Sequence, residues 1–227
     1  MINEKFSEKE SLSIIQEMIQ KVKSDYHESG TSAILWGTAV GIAGLVSYLQ
    51  IEFDFTIGFD IWFIVLFAIL PQIYISYKES KTKKIKTYYD SALDYVWMTY
   101  GITLFGIIFY ANVVPGASQN LISNEGWELV KHYKNGSKPD ETLKPFLLSL
   151  GSLFILIYAF PTIITGLLQK CKPMIVGGII CYILFIVSCY TEFKYDMLFS
   201  GIAGMVAWLI PGLILRSKFS KSKRQHV

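Results

Sequence analysis

The side chains able to carry acid–base, nucleophilic or metal chemistry are few and scattered in this chain. The histidines are His27, His132 and His226, and the cysteines are Cys171, Cys181 and Cys189. The cysteines form no CxxC pair and show no metal-ligand spacing. HExxH, GxSxG, P-loop and dinucleotide fingerprints are missing. A serine nucleophile needs a base beside it, and no His or Lys falls in the long apolar stretches of the chain. Five carboxylates stand at the edges of those stretches: Asp60, Asp90, Asp94, Glu192 and Asp196. Asp90 and Asp94 are four apart, which puts them on one helix face, where they would favour the positive N-terminal end. Capping is the simple reading of that pair; a cation or substrate contact is the sharper one. The pattern implies no enzyme, no catalytic residue, no cofactor and no metal centre.

The elements that position these residues are six apolar segments, at 33–50, 61–77, 95–114, 146–168, 174–190 and 197–215. None contains Asp, Glu, Lys, Arg or His. Each is 17 to 23 residues long, enough for a helix rising about 1.5 Å per residue to cross a bilayer core. Period-two alternation is absent from these runs, which argues against a sheet protein. The expected fold is all-α: a polytopic membrane bundle of six transmembrane helices arranged as three hairpins. A cytoplasmic amphipathic helix would precede it within 1–32, the bundle would fill 33–215 with an outer loop at 115–144, and a basic tail would close the chain at 216–227.

Orientation follows from the basic residues. Alternate connecting pieces hold 16 and 5 of the 21 Lys+Arg, so both termini are expected in the cytoplasm of a plasma (inner) membrane protein. The first apolar run starts only at residue 33, as expected for an uncleaved insertion signal rather than a cleaved leader. Five basic residues in 216–224 and five lysines in 78–86 suit anionic headgroups, making membrane lipid the expected partner of both; their position beside a span argues against nucleic acid. Phe53, Phe55, Phe59, Trp62 and Phe63 suit an interfacial aromatic belt. In the loop at 115–144, Leu121, Ile122, Trp127, Leu129, Val130 and Tyr133 suggest a short interfacial helix ending at the Asn135-Gly136 turn.

Residues 7–29 read as an amphipathic helix. Ser7 with Glu10 makes a capping box and Gly30 a stop. Leu12, Ile15, Ile19, Val22 and Tyr26 recur in steps of three and four, forming one apolar stripe. Acids outnumber lysines six to four over 1–32, so anionic lipid would attract it weakly. The stripe would bury against its own bundle, another protein or a second copy; Leu12, Ile15, Ile19 and Val22 are the candidate partner contacts.

Within the spans, Gly37, Gly41 and Gly44 share a face with Ala33 and allow close helix packing, within the chain or between copies. Pro71, Pro161 and Pro211 stand in the cytoplasmic halves of the even segments. A proline removes a helical hydrogen bond, so three kinks at matched depth would open a cytoplasm-facing cavity. Gln72, Tyr74, Thr99, Thr103, Thr162 and Thr165 are its candidate lining.

The string Leu70-Pro71-Gln72-Ile73-Tyr74, followed by Tyr77-Lys78 and Lys81, resembles the PQ-loop motif of a solute-transporter family, over about a dozen residues. That resemblance implies a transporter, but no second Pro-Gln occurs: Thr162 follows Pro161 and Gly212 follows Pro211. The whole chain, especially Ser7-Glu8-Lys9-Glu10-Ser11-Leu12 through Gln20 and Gly30 to Gly37, is similar to uncharacterised small bacterial membrane proteins with six helices. Two functional expectations follow. One is a non-catalytic membrane component or regulator that engages a partner through its N-terminal helix. The other is a small uncoupled transporter or channel, since coupled pumps usually keep an ionisable residue within the bundle.

Overall fold

The structure is a computed structural model that describes residues 30–82, 88–146 and 150–225. The amphipathic segment 7–29, with Leu12, Ile15, Ile19 and Val22, lies outside the described residues.

The chain is mostly helical. Helix α1 covers Thr31–Glu52, followed by a short α2 at Phe63–Phe67 and α3 at Ile69–Thr82. Helix α4 runs 37 residues, Tyr88–Asn124. Helices α5 (Leu150–Leu168) and α6 (Lys172–Ser188) follow, then α7 (Phe193–Gly204), a π-helical turn at Met205–Leu209, and α8 (Ile210–Gln225). Among the described residues, four stretches are long and apolar enough to cross a membrane: Thr31–Glu52, Asp90–Asn124, Leu150–Leu168 and Phe193–Lys221. Helix α6 is apolar but shorter, at 17 residues.

Three features depart from the sequence expectation. The loop expected at 115–144 does not begin at Pro115, because α4 continues through that proline to Asn124. Instead of an interfacial helix, the loop carries a two-stranded antiparallel hairpin, so the chain is not strictly all-α. Strand β1 (Leu129–Lys131) pairs with β2 (Glu141–Leu143), setting Lys131 opposite Glu141. The Asn135-Gly136 turn lies between the strands, with Gly136 at φ 62°. Finally, the second apolar segment is not one helix.

The prolines explain that break. Pro71 lacks an N–H, and its ring crowds the carbonyl four residues earlier, at Phe67. The chain breaks there, at Ala68 between α2 and α3. Pro161 sits inside an unbroken α5. Pro211 follows the π-helical turn, where the Ile210 N–H reaches back five residues to the Met205 carbonyl. Three prolines at matched depth therefore have three different backbone outcomes.

The α7–α8 helix is central. On one side it packs antiparallel to α1 with almost no side chain between them. A Cβ on Gly44 would lie 2.5 Å from the Gly201 nitrogen, one on Gly41 would lie 2.8 Å from Met205 Cγ, and one on Gly37 would strike the Leu209 backbone. On the other side stand α5 and α6, whose hairpin closes through the short turn at 169–171. Ile155, Tyr158, Ala159, Cys181, Ala203, Ala207 and Trp208 form the core between them, with Val40 from α1. Helices α3 and α4 are attached at the rim.

Candidate functional site

Residues Ser152, Ile155, Tyr158, Ala159, Thr162 and Thr165 recur at helical spacing and form the buried face of α5. Opposite them, Asp196, Ser200, Ala203 and Ala207 line the inner face of α7 and the π-helical turn. The two helices run parallel here, so a column of polar side chains follows their seam.

At one level of the column, the Trp208 Nε1–H donates to Thr162 Oγ1 at 2.8 Å, and the Thr162 hydroxyl donates to the Tyr158 carbonyl at 2.7 Å. One turn further along α5, Trp97 of α4 donates its Nε1–H to Thr165 Oγ1 at 3.2 Å. The rings are in mutual contact: Tyr158 and Trp208 have centroids 4.9 Å apart, Trp97 and Trp208 6.1 Å, and Trp97 and Tyr100 5.5 Å. Edge and tilted arrangements of this kind are favourable for aromatic quadrupoles. The Ser200 hydroxyl approaches the Tyr158 hydroxyl at 3.5 Å.

The end of the column holds a buried acid. Asp196 is 0 % exposed, and neither carboxylate oxygen has a hydrogen-bond partner among the described residues. It packs against the first turn of α5, where a Cβ on Gly151 would lie 2.5 Å from Asp196 Cβ and 3.1 Å from Oδ2. Only glycine leaves that space. Ser188, the last residue of α6, lies beside the carboxyl but outside hydrogen-bonding geometry; its hydroxyl is also fully buried and unpartnered among the described residues. The neighbouring cation, Lys194, is engaged elsewhere, 3.0 Å from Glu52 and 3.8 Å from Glu192.

In sequence terms Asp196 stands at an edge, because the apolar segment starts at 197. In the structure the helix begins at Phe193, which places Asp196 within its first turn. A signal was present: positions 196, 200, 203 and 207 fall on one face and are otherwise small residues.

The other candidates disperse. Pro161, Thr162, Thr165 and Pro211 are buried in the central bundle. Pro71, Tyr74, Thr99 and Thr103 are exposed, and the Thr103 hydroxyl is bonded to the Thr99 carbonyl at 2.9 Å. Gln72 accepts from Trp36 Nε1 at 3.0 Å and donates to Ser32 at 3.1 Å, tying α3 to α1. These residues do not converge on one cavity. A cleft of about 520 Å³ lies elsewhere, between the end of α1 (Ser47, Gln50, Asp54), Trp62 and the start of α7 (Phe193, Met197). Gly37, Gly41 and Gly44 are buried against the central helix. Among the described residues no group of three or more His, Cys, Asp or Glu could hold a metal. No protein-family model, curated protein or solved structure matches this chain.

Proposed function

We propose that the chain is a multi-pass membrane component without catalytic activity, which engages a partner protein through residues 7–29. The membrane part of this reading makes six crossings: α1, α2 with α3, α4, α5, α6, and α7 with α8. Both termini are cytoplasmic in a plasma membrane, as the distribution of Lys and Arg favours. The basic tail and the lysines near residue 80 sit at the headgroups.

The observation that carries the reading is the filled interior. Where a transporter would place a pathway, the rings of Trp97, Tyr100, Tyr158 and Trp208 touch one another, and both indole donors are satisfied by threonines. A bundle locked in this way suits a scaffold that presents an attached helix. The competing reading is an uncoupled transporter with a cavity shaped by Pro71, Pro161 and Pro211. It ranks lower because Pro71 lies exposed at the rim while Pro161 and Pro211 are inside the central bundle.

A photo-crosslinking residue at Ile15 or Ile19, in cells expressing the full chain, tests the proposal. An adduct with a second polypeptide is the expected result. Adducts confined to the same chain would remove the partner role.

A further inference from the structure

We propose that Asp196 and Ser188 form a binding site for a small monovalent cation of the sodium class, where the ends of α5, α6 and α7 meet. The proposal stands on the packing of these three helices and is independent of the partner role of residues 7–29.

The donor set is the first argument. Both oxygens of Asp196 and the hydroxyl of Ser188 are buried, adjacent and without hydrogen-bond partners among the described residues. A buried carboxylate without a counter-charge is strongly unfavourable. On this side of α7 the described neighbours are neutral: Gly151 and Ser152 from α5, Ser188 from α6, and Ser200 one turn along α7; α1, on the opposite side, ends in Glu52, which is paired with Lys194. The nearest lysine in sequence, Lys194, serves Glu52 and Glu192.

The helix ends favour a cation, and the pH range of the test below separates it from a proton. Asp196 stands in the first turn of α7, whose N-terminal end favours the ionised carboxylate. Ser188 closes α6, whose C-terminal end carries partial negative charge. An ionised carboxylate beside a negative helix end attracts a cation, and hard cations take oxygen ligands of this kind. The single carboxylate sets the valence. Divalent sites gather several carboxylates, and no such group occurs among the described residues. Phe193 and Met197, which flank Asp196 in sequence, line the neighbouring cleft that also holds Asp54. The acids at this end would raise the local cation concentration.

The test is thermal unfolding of the purified full-length protein in neutral detergent. Sodium chloride is exchanged for choline chloride at constant ionic strength, from pH 6 to 9. A saturable rise in Tm with sodium is expected, roughly 5–10 °C at a hundred times the Kd. Asp196→Asn should abolish the sodium dependence while keeping a Tm in choline at or above that of the wild type, because it removes the buried charge. Ser188→Ala should move the titration midpoint to higher sodium, and it serves if the asparagine variant does not fold. Identical Tm values in sodium and choline across the pH range would overturn the proposal. So would stabilisation by acid alone, which would mean a proton holds the site, or an equal sodium effect in Asp196→Asn, which would mean an adventitious ion only.

Discussion

The indole of Trp208 and the hydroxyl of Thr162, 46 positions apart in sequence, meet at 2.8 Å inside the bundle, where Trp208 is 3 % exposed. Their bond joins the π-helical turn to α5 at the point where α5 carries its own proline. The threonine both accepts from the indole and donates to the Tyr158 carbonyl, so removing either partner has a different consequence.

Trp208→Phe keeps a ring in the core and deletes the donor, which should cost about 0.5–1.5 kcal/mol. Thr162→Val keeps the shape but strands the indole N–H, which should cost about 1–3 kcal/mol. The double variant should lose less than the sum of the two. Reversible unfolding in detergent checks this cycle, and strict additivity would mean that the bond is energetically silent.

Gly44→Val would drive a branched side chain into the Gly201 backbone, where even a Cβ would sit 2.5 Å from the nitrogen. Over-packing of this kind should cost at least about 1–3 kcal/mol, read as a lower Tm and a poorer monodisperse yield. Gly106→Ala is the control. Nothing lies within 4 Å of its would-be Cβ, so it should be neutral or slightly stabilising through helix propensity.

Pro211→Ala restores a backbone donor at the end of the π-helical turn. The extra residue in that turn would then relax into regular α-helix, rotating Trp208 relative to α5. A red-shifted tryptophan emission is the expected outcome, and no shift is expected from Pro71→Ala, which lies outside the central bundle. Unchanged emission in Pro211→Ala would show that packing, not the proline, maintains the turn.

The thiols report topology. Cys189 is exposed at the end of α6, whereas Cys181 is buried in its middle and Cys171 is buried at its start. An impermeant maleimide added to intact cells should label Cys189 alone, with Cys181 and Cys171 reacting only after denaturation. No labelling of Cys189 without permeabilisation would reverse the proposed orientation.

Legibility in the sequence was uneven. The small residues of α1 could be read as a close-packing face, since spacing alone decides which residues share a face. Their contact helix could not, because Gly201 and Leu209 lie more than 150 residues away. By residue type and span depth, Thr162 and Thr165 match Thr99 and Thr103. The structure separates them, because whether a face meets protein or the outside depends on which helices flank it. Asp196 reads as an edge residue because the apolar segment starts at 197, whereas the helix starts at Phe193, and helix boundaries are weakly determined by local sequence.

By itself, the sequence determined the long apolar helical stretches and the scarcity of chemistry along them. Those properties are local: hydrophobicity, length and the absence of charge act through neighbours in the chain. Tertiary structure alone decided the separate fates of Pro71, Pro161 and Pro211. It also decided the indole–threonine bonds and the burial of Asp196 against Gly151. Each depends on distant backbones approaching within van der Waals distance, and that approach is set by three-dimensional packing, not by any one segment's composition.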